Sequence, residues 1–211
     1  MTSIDARVQG VLDEYHRRID VELPIMRRAA ADGTFGQIID QMLLPVGPAS
    51  GLLINILAKS LKAPTILEIG TSFGYSGLWL AEAARATGGR LVTIERAAEK
   101  SAHARAMSEK AGLAELVDFR VGDALEVIAQ LPHGIDFVLV DLWKDLYLPC
   151  LEAFYPKLNP GAIIVSDNMI EPAHERATVM KYQQALRAMP KITSILVPVG
   201  SGLEISRFDE R

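Results

Sequence analysis

The sequence predicts a doubly wound α/β fold, with a mostly parallel seven-stranded sheet, an antiparallel last strand and an N-terminal helical preface. Short apolar runs alternate with helical segments from Thr65 onward, which is typical of a parallel sheet built from βαβ units. Two strands joined by Gly200-Ser-Gly202 then close the chain, and this hairpin spacing makes the last strand antiparallel to its partner. We expect one domain over residues 1–211, divided into the preface (1–62) and the α/β core (63–211).

The helices of the preface are predicted from apolar residues at helical spacing. The first runs from about Ile4 to Ile19, and Pro24 marks a break or a new start. A short helix over residues 38–43 and a longer one over residues 49–61 follow.

The core elements follow in order from apolar runs bounded by glycine, proline and asparagine. The predicted strands cover residues 65–69, 91–95, 117–121, 135–141, 162–166, 192–199 and 203–208. The helices between them include residues 78–85, 98–110 and 175–188.

Composition excludes several classes of protein. The 211 residues are 49% hydrophobic and 23% charged, as in globular domains, and the net charge of −4 argues against a nucleic-acid partner. No secretory leader is visible, and the longest apolar segment, residues 51–58, is too short to span a bilayer. The single cysteine, Cys150, fits a reducing compartment. We expect a cytoplasmic protein without nucleic-acid or membrane partners; its oligomeric state stays open, with a homodimer as one alternative.

A glycine-rich turn follows the first strand. Gly70 and Gly74 lead into a helix whose free backbone N–H groups can bind a ligand. Ser72 stands where the dinucleotide fingerprint has its second glycine, which argues against an NAD oxidoreductase. Glu68, inside an otherwise apolar strand, needs a cationic or N–H partner, such as the ammonium group of an amino acid. The alternative is a purely structural turn.

Carboxylates collect at the carboxyl ends of the strands, where ligands of open α/β sheets bind. Glu95 closes the second strand and is placed to accept hydrogen bonds from the ribose hydroxyls of an adenosine; alternatively, it caps the next helix. Asp123 follows the third strand, and the alternative to a role in cofactor binding is that it is only a helix N-cap.

Two neighbouring strands end in oxygen ligands. Asp141 ends the fourth strand, and Asp167 and Asn168 end the fifth. Two carboxylates and an amide form a hard site that suits Mg²⁺, whereas zinc would prefer histidine or cysteine. The alternative for Asp167 and Asn168 is a turn with Asx hydrogen bonds.

Three segments carry a resemblance to a known family: residues 141–149, 166–172 and 202–204. Together with Glu95 and the E-x-G-x-x-x-G pattern that begins at Glu68, they resemble the catechol O-methyltransferases. These are metal-dependent class I methyltransferases that use S-adenosylmethionine (SAM). The resemblance covers residues 35–208 and implies a Rossmann-like methyltransferase fold, SAM and Mg²⁺ as cofactors, and a small catechol-type diol as substrate.

The resemblance also implies roles for individual residues. Asp141, Asp167 and Asn168 would be metal ligands, Lys144 the catalytic base, and Glu204 the acceptor of a substrate hydroxyl; Lys144 and Asn168 would also contact the substrate. The implied cofactor-binding residues are Val46, Glu68, Gly70, Ser76, Glu95, Arg96, Asp123, Ala124 and Asp141.

The residues themselves support two of these roles. Lys144 is three positions beyond Asp141, and a nearby dication would disfavour its ammonium form. Glu204 opens an antiparallel strand, which places it at the edge where the parallel strands end. The alternatives are a surface ion pair for Lys144 and a solvent-facing strand acid for Glu204.

Arg96 and Ala124 occupy family contact positions without matching residue types, and three further positions depart from the family. Leu142 replaces a histidine of the mammalian enzyme, and Met42 and Leu44 occupy the lip where that enzyme has tryptophan and methionine. Such a lip should hold a flat ring less specifically. Two rival functions follow: methylation of a larger catechol ester or natural product, and SAM binding without turnover.

Overall fold

A computed structural model describes residues 4–209, whose seven strands form one sheet in the order β3-β2-β1-β4-β5-β7-β6. Strands β1 to β5 are mutually parallel, and β7 lies antiparallel between β5 and β6. The strands are β1 Thr65–Ile69, β2 Arg90–Glu95, β3 Val117–Val121, β4 Ile135–Val140, β5 Leu158–Ser166, β6 Ile192–Val197 and β7 Leu203–Phe208. This order and the antiparallel last strand confirm the predicted fold class.

Helices cover both faces of the sheet. They are α1 Ala6–Ala31, α2 Pro48–Lys59, α3 Tyr75–Thr87, α4 Ala98–Ala111, α5 Ala124–Gln130, α6 Tyr147–Phe154 and α7 Arg176–Ala188. Helices α1 to α4 enclose one apolar cluster with the sheet, and α5 to α7 enclose the other. Each large apolar side chain that is fully buried in these clusters contributes about 1.5–3 kcal/mol. The central strands are therefore buried on both faces, as their near-continuous apolar runs predict.

Three local predictions are wrong. Helix α1 continues through Pro24. Proline has no N–H to donate to the carbonyl of Asp20, but both residues lie on the exposed side of the helix, where water can bond that carbonyl. Residues 38–43 form no α-helix but only a 3₁₀ turn over Ile39–Gln41. Met42 is extended, and the Leu43 amide donates to Glu22 on α1 at 2.7 Å instead of continuing a helix. Strand β5 begins at Leu158 rather than at Ala162, because residues 159–161, whose asparagine, proline and glycine are typical of a turn, form a register shift within the strand.

None of the helices within residues 4–209 is both long and apolar enough to cross a bilayer. The longest, α1, exposes charged side chains along most of its length.

Candidate active site

The carboxyl ends of β1 and β4 meet in backbone contact. Gly70, with φ of +107°, follows β1, and a Cβ atom there would lie 1.9 Å from the carbonyl oxygen of Asp141. The Asp141 amide in turn donates to Ile69 O at 2.9 Å. Only glycine fits such an approach. The turn after β1 and the acidic end of β4 therefore share one crevice, at the point where the strand order reverses.

The glycine turn (residues 70–74) is bonded to the end of β2. The Ser72 amide donates to Glu95 Oε2 at 2.8 Å, and the Ala97 amide donates to Oε1 at 2.9 Å. Glu95 thus fixes both the turn and the segment that enters α4, but it does not cap that helix, whose N-cap residue is Ala97. Each carboxylate oxygen keeps a lone pair for a further donor, and the side chain is half-buried at the crevice. These two bonds are therefore compatible with ribose binding.

Glu68 lies beneath the glycine turn. It is fully buried, and its two oxygens accept from the hydroxyls of Ser76 and Thr93. Burial raises the pKa of Glu68 to about 7, although the two hydroxyls favour the ionised form. Both oxygens of Glu68 therefore have a hydroxyl partner within the protein, and each keeps a lone pair for a further donor.

Asp141 and Asp167 leave neighbouring strands at the same level, since Val140 pairs with Ser166. Asp167 is 2% exposed, and its Oδ1 has no hydrogen-bond partner among residues 4–209. Burial, followed by repulsion from Asp141, raises the pKa of Asp167 to about 8. Burial also raises the pKa of Asp141, while Lys144 opposes that rise. Two close carboxyl groups, one with an unbonded buried oxygen, favour a cation between them.

Lys144 lies in the same cluster. Its Nζ donates to Leu142 O at 3.0 Å, Tyr147 Oη at 2.6 Å and Asn168 Oδ1 at 2.8 Å, which uses all three protons of an ammonium group. Burial lowers the pKa of Lys144, against the attraction of the charges on Asp141 and Asp167. Lys144 is thus hydrogen-bonded inside the crevice, and the alternative of a surface ion pair does not describe it.

The donor set fits a hard divalent cation. Within residues 4–209 no three His, Cys, Asp or Glu side chains are grouped as metal ligands. A site here would therefore need the amide oxygen of Asn168 beside Asp141 and Asp167. Asn168 adopts a left-handed φ of +58°, and its Oδ1 keeps one lone pair beyond its bond to Lys144. These three residues could hold Mg²⁺, with water or substrate oxygens as further ligands.

Glu204 is not part of this cluster. Its carboxylate is fully buried and accepts from Arg187 Nε at 2.8 Å, Arg187 Nη2 at 2.9 Å and Gln183 Nε2 at 3.0 Å, and also from Ser194. Topology does bring its Cα beside Ser166, as expected. The side chain nevertheless points to the α7 face of the sheet, because Arg187 and Gln183 satisfy the charge there. Neither the predicted substrate contact nor the solvent-facing alternative describes this geometry.

The remaining predicted cofactor residues differ in how far they are exposed. Asp123 is exposed and caps α5, accepting from Leu125 N at 2.9 Å and Glu126 N at 3.2 Å. Arg96 is exposed beyond β2, whereas Val46 and Ala124 are buried.

Sequence reasoning missed two residues of the site. Thr93 pairs directly with Glu68 across β1 and β2 and donates to its carboxylate. Tyr147 accepts from Lys144 and donates to Asp167 O at 3.1 Å. Thr93 could have been found as a polar residue in an apolar strand. Tyr147 could have been found from its spacing of three residues from Lys144, which places both side chains on one helical face.

Known proteins resemble this chain in sequence and in structure. The sequence profile of a family described as O-methyltransferase matches residues 21–208. The catechol O-methyltransferase of Niastella koreensis is 34% identical over 131 residues, which are 60% of this chain and 59% of that protein. The match therefore spans about three fifths of that relative. Caffeoyl-CoA O-methyltransferase 2 of Eucalyptus globulus is 30% identical over 186 residues, which are 78% of this chain and 75% of that protein.

A solved structure extends the similarity to nearly the whole chain. The O-methyltransferase TomG from Streptomyces achromogenes, determined in complex with SAM, superimposes with a TM-score of 0.72 at 27% identity. The alignment covers 99% of this chain and 93% of that one.

Proposed function

Since the chain belongs to the O-methyltransferase family, we propose that it transfers a methyl group from SAM to one hydroxyl of a small catechol-type diol, with Mg²⁺ as the metal. One observation carries the proposal. The backbone contact between Gly70 and Asp141 puts the glycine turn directly beside Asp141, Asp167 and Lys144. A methyl donor bound at the turn would meet an acceptor held by that cluster.

The cofactors supply the chemistry that side chains cannot. SAM supplies an electrophilic methyl group, and a hard dication lowers the pKa of nearby hydroxyls. Asp141, Asp167 and Asn168 would hold the cation, and Glu95 would accept from the ribose hydroxyls. The protein's largest contribution is positioning, since effective molarities reach about 10⁵–10⁸ M for well-oriented groups.

Lys144 would take the proton of the attacking hydroxyl. A neutral amine has one lone pair and two protons, so it must give up one of the three bonds that the ammonium donates. Leu142 O and Asn168 Oδ1 can only accept, whereas the hydroxyl of Tyr147 can also donate. That hydroxyl already donates to Asp167 O, so the lone pair of a neutral Nζ stays free for the proton of the substrate. With Glu204 bonded to Arg187, the second substrate hydroxyl is left to Asn168 and the cation.

A larger catechol ester is the second candidate substrate. The 30% identity to a caffeoyl-CoA O-methyltransferase covers more of this chain than the identity to the catechol enzyme does. The lip supports this candidate as well, because Leu44 is 38% exposed and Met42 is half-buried. Such an open lip leaves room for the ester beyond the ring.

Mass spectrometry tests the proposal. Purified protein is incubated with SAM, Mg²⁺ and a panel of catechol, caffeoyl-CoA and their monophenol analogues, with Lys144→Met as the matched inactive control. We expect a methylated diol and little product from the monophenols. The ratio of kcat/KM for catechol to kcat/KM for caffeoyl-CoA then distinguishes a small diol from an ester as the preferred substrate. Absence of any methylated product across the panel, from a protein that binds SAM, would favour a binder without turnover.

A further inference from the structure

Helix α1 of the preface reaches the glycine turn through Tyr15. The ring of Tyr15 is 1% exposed and packs edge-on against Tyr75, with 5.7 Å between ring centroids. Its hydroxyl donates to the carbonyl oxygen of Phe73, the residue after Ser72. Burial raises the pKa of Tyr15 above its ordinary value, so the hydroxyl remains a neutral donor. A residue far from the crevice in sequence thus holds the turn from behind.

The glycine turn needs such support because of its backbone conformation. Ser72 has a φ of +47°, a left-handed conformation that costs a non-glycine residue about 1–2 kcal/mol. Such conformations persist only where surrounding contacts enforce them. The turn has its own bond, from Gly74 N to Thr71 O at 2.9 Å, and Ser72 Oγ donates to Leu43 O at 3.3 Å. Two further bonds come from neighbouring elements: the Ser72 amide donates to Glu95, and the carbonyl of Phe73 accepts from Tyr15.

Further contacts between α1 and the turn restrict movement of Phe73. The guanidinium of Arg18 lies over its ring, 4.1 Å from the centroid, and Lys100 of α4 lies 5.5 Å from it. The turn is therefore held by α1 on one side and by Glu95 on the other.

We propose that Tyr15 is a positioning residue for the cofactor. By bonding the Phe73 carbonyl, Tyr15 keeps Ser72 in its left-handed conformation. In that conformation the Ser72 amide bonds the carboxylate of Glu95 and orients it for the ribose hydroxyls. The inference rests on the proposed function and adds a residue of the helical preface to the cofactor site. Tyr15 has almost no exposed surface, so it acts on the cofactor only through the backbone of the turn.

Two tyrosine-to-phenylalanine variants test this role. Tyr15→Phe removes the hydroxyl that bonds the turn. Tyr75→Phe is the matched control, because Tyr75 is 3% exposed in the same aromatic cluster and its hydroxyl bonds His16 at 3.0 Å instead. Calorimetry with S-adenosylhomocysteine, at a temperature well below both unfolding midpoints, should show about fivefold weaker binding for Tyr15→Phe. Tyr75→Phe should lose similar stability with unchanged affinity, and kcat at saturating SAM should stay at the wild-type value in both.

A double-mutant cycle identifies the route. If Tyr15 acts through Glu95, adding Tyr15→Phe to Glu95→Gln should weaken binding less than it does in the wild type. Replacing Tyr15 by p-aminophenylalanine restores a donor and should restore the affinity. Unchanged affinity in Tyr15→Phe, an equal loss in Tyr75→Phe, or strict additivity with Glu95→Gln would overturn the inference while leaving the proposed function in place. A wild-type protein that does not bind S-adenosylhomocysteine would overturn both.

Discussion

Truncating the two partners of the Glu204–Arg187 ion pair should have unequal effects. The side chain of Glu204 has no exposed surface, whereas that of Arg187 is 49% exposed. Arg187→Met leaves a buried carboxylate with only Gln183 and Ser194 as donors. Glu204→Gln leaves a guanidinium that water can solvate. The new amide oxygen can accept from Gln183 and Arg187, and the new NH₂ group can donate to Ser194 Oγ, because a hydroxyl also accepts. Arg187→Met should therefore be the more destabilising change.

The environment of each partner sets the magnitude. Breaking a fully buried pair costs about 3–5 kcal/mol. Because half of Arg187 faces water, its attraction to Glu204 is screened, and we expect about 2–3 kcal/mol for Arg187→Met. Glu204→Gln exchanges charge-assisted bonds for neutral ones and should cost about 1 kcal/mol. At this chain length, each kcal/mol lowers the unfolding midpoint by about 2–4 °C.

Urea denaturation and turnover assays on the same variants check the argument. Since the Glu204 carboxylate points to α7, Glu204→Gln should keep kcat on catechol within about threefold of the wild type. Gln183→Met, which removes a neutral donor to the same carboxylate, is the matched control for stability. A Glu204→Gln protein of wild-type stability that loses turnover more than about tenfold would refute this reasoning and return Glu204 to the substrate.

Three further predictions follow from the crevice. Lys144→Met should lower kcat by about 10²–10⁴-fold with little change in S-adenosylhomocysteine affinity, as loss of a general base requires; an unchanged rate near neutral pH would show Lys144 to be only a buried cation. Mg²⁺ should raise the unfolding midpoint of the wild type but not of Asp167→Ala, since a ligand that binds only the folded state stabilises it; equal shifts in differential scanning fluorimetry would place the cation elsewhere. Because burial raises the pKa of Glu68 to about 7 from 4.5, the folded state keeps a proton that the unfolded chain loses between those pH values. Wild-type stability should therefore fall by roughly 2–3 kcal/mol relative to Glu68→Gln as the pH rises from 5 to 8, and urea titrations in which this difference is independent of pH would contradict the shift.

The fold was largely predictable because its signals are local. Apolar runs of strand length, separated by helices with glycine stops, fixed the type and order of the core elements. The errors lie where a distant partner overrides the local preference. Leu43 leaves a helical conformation because its amide finds Glu22, and Pro24 is tolerated because the side of α1 that it affects faces water.

The site was predictable where the backbone alone determines position. Asp141, Asp167 and Lys144 follow strand ends that topology brings together, so their cluster could be expected from the sequence. The direction of a side chain depends on which partner neutralises it. Glu204 shows the difference: its Cα lies where predicted, but Arg187, seventeen positions away in sequence, binds the carboxylate against α7.

The Gly70–Asp141 contact has a consequence for how this chain can change its substrate. In the proposed function, the spacing between the glycine turn and the end of β4, which carries Asp141, is fixed by main-chain atoms. The lip, by contrast, consists of exchangeable side chains, those of Met42 and Leu44. Substitutions at the lip can therefore alter which molecule enters while the spacing of the backbone around the site stays constant. A scaffold with this division is well suited to directed evolution towards new acceptors, provided that position 70 remains glycine.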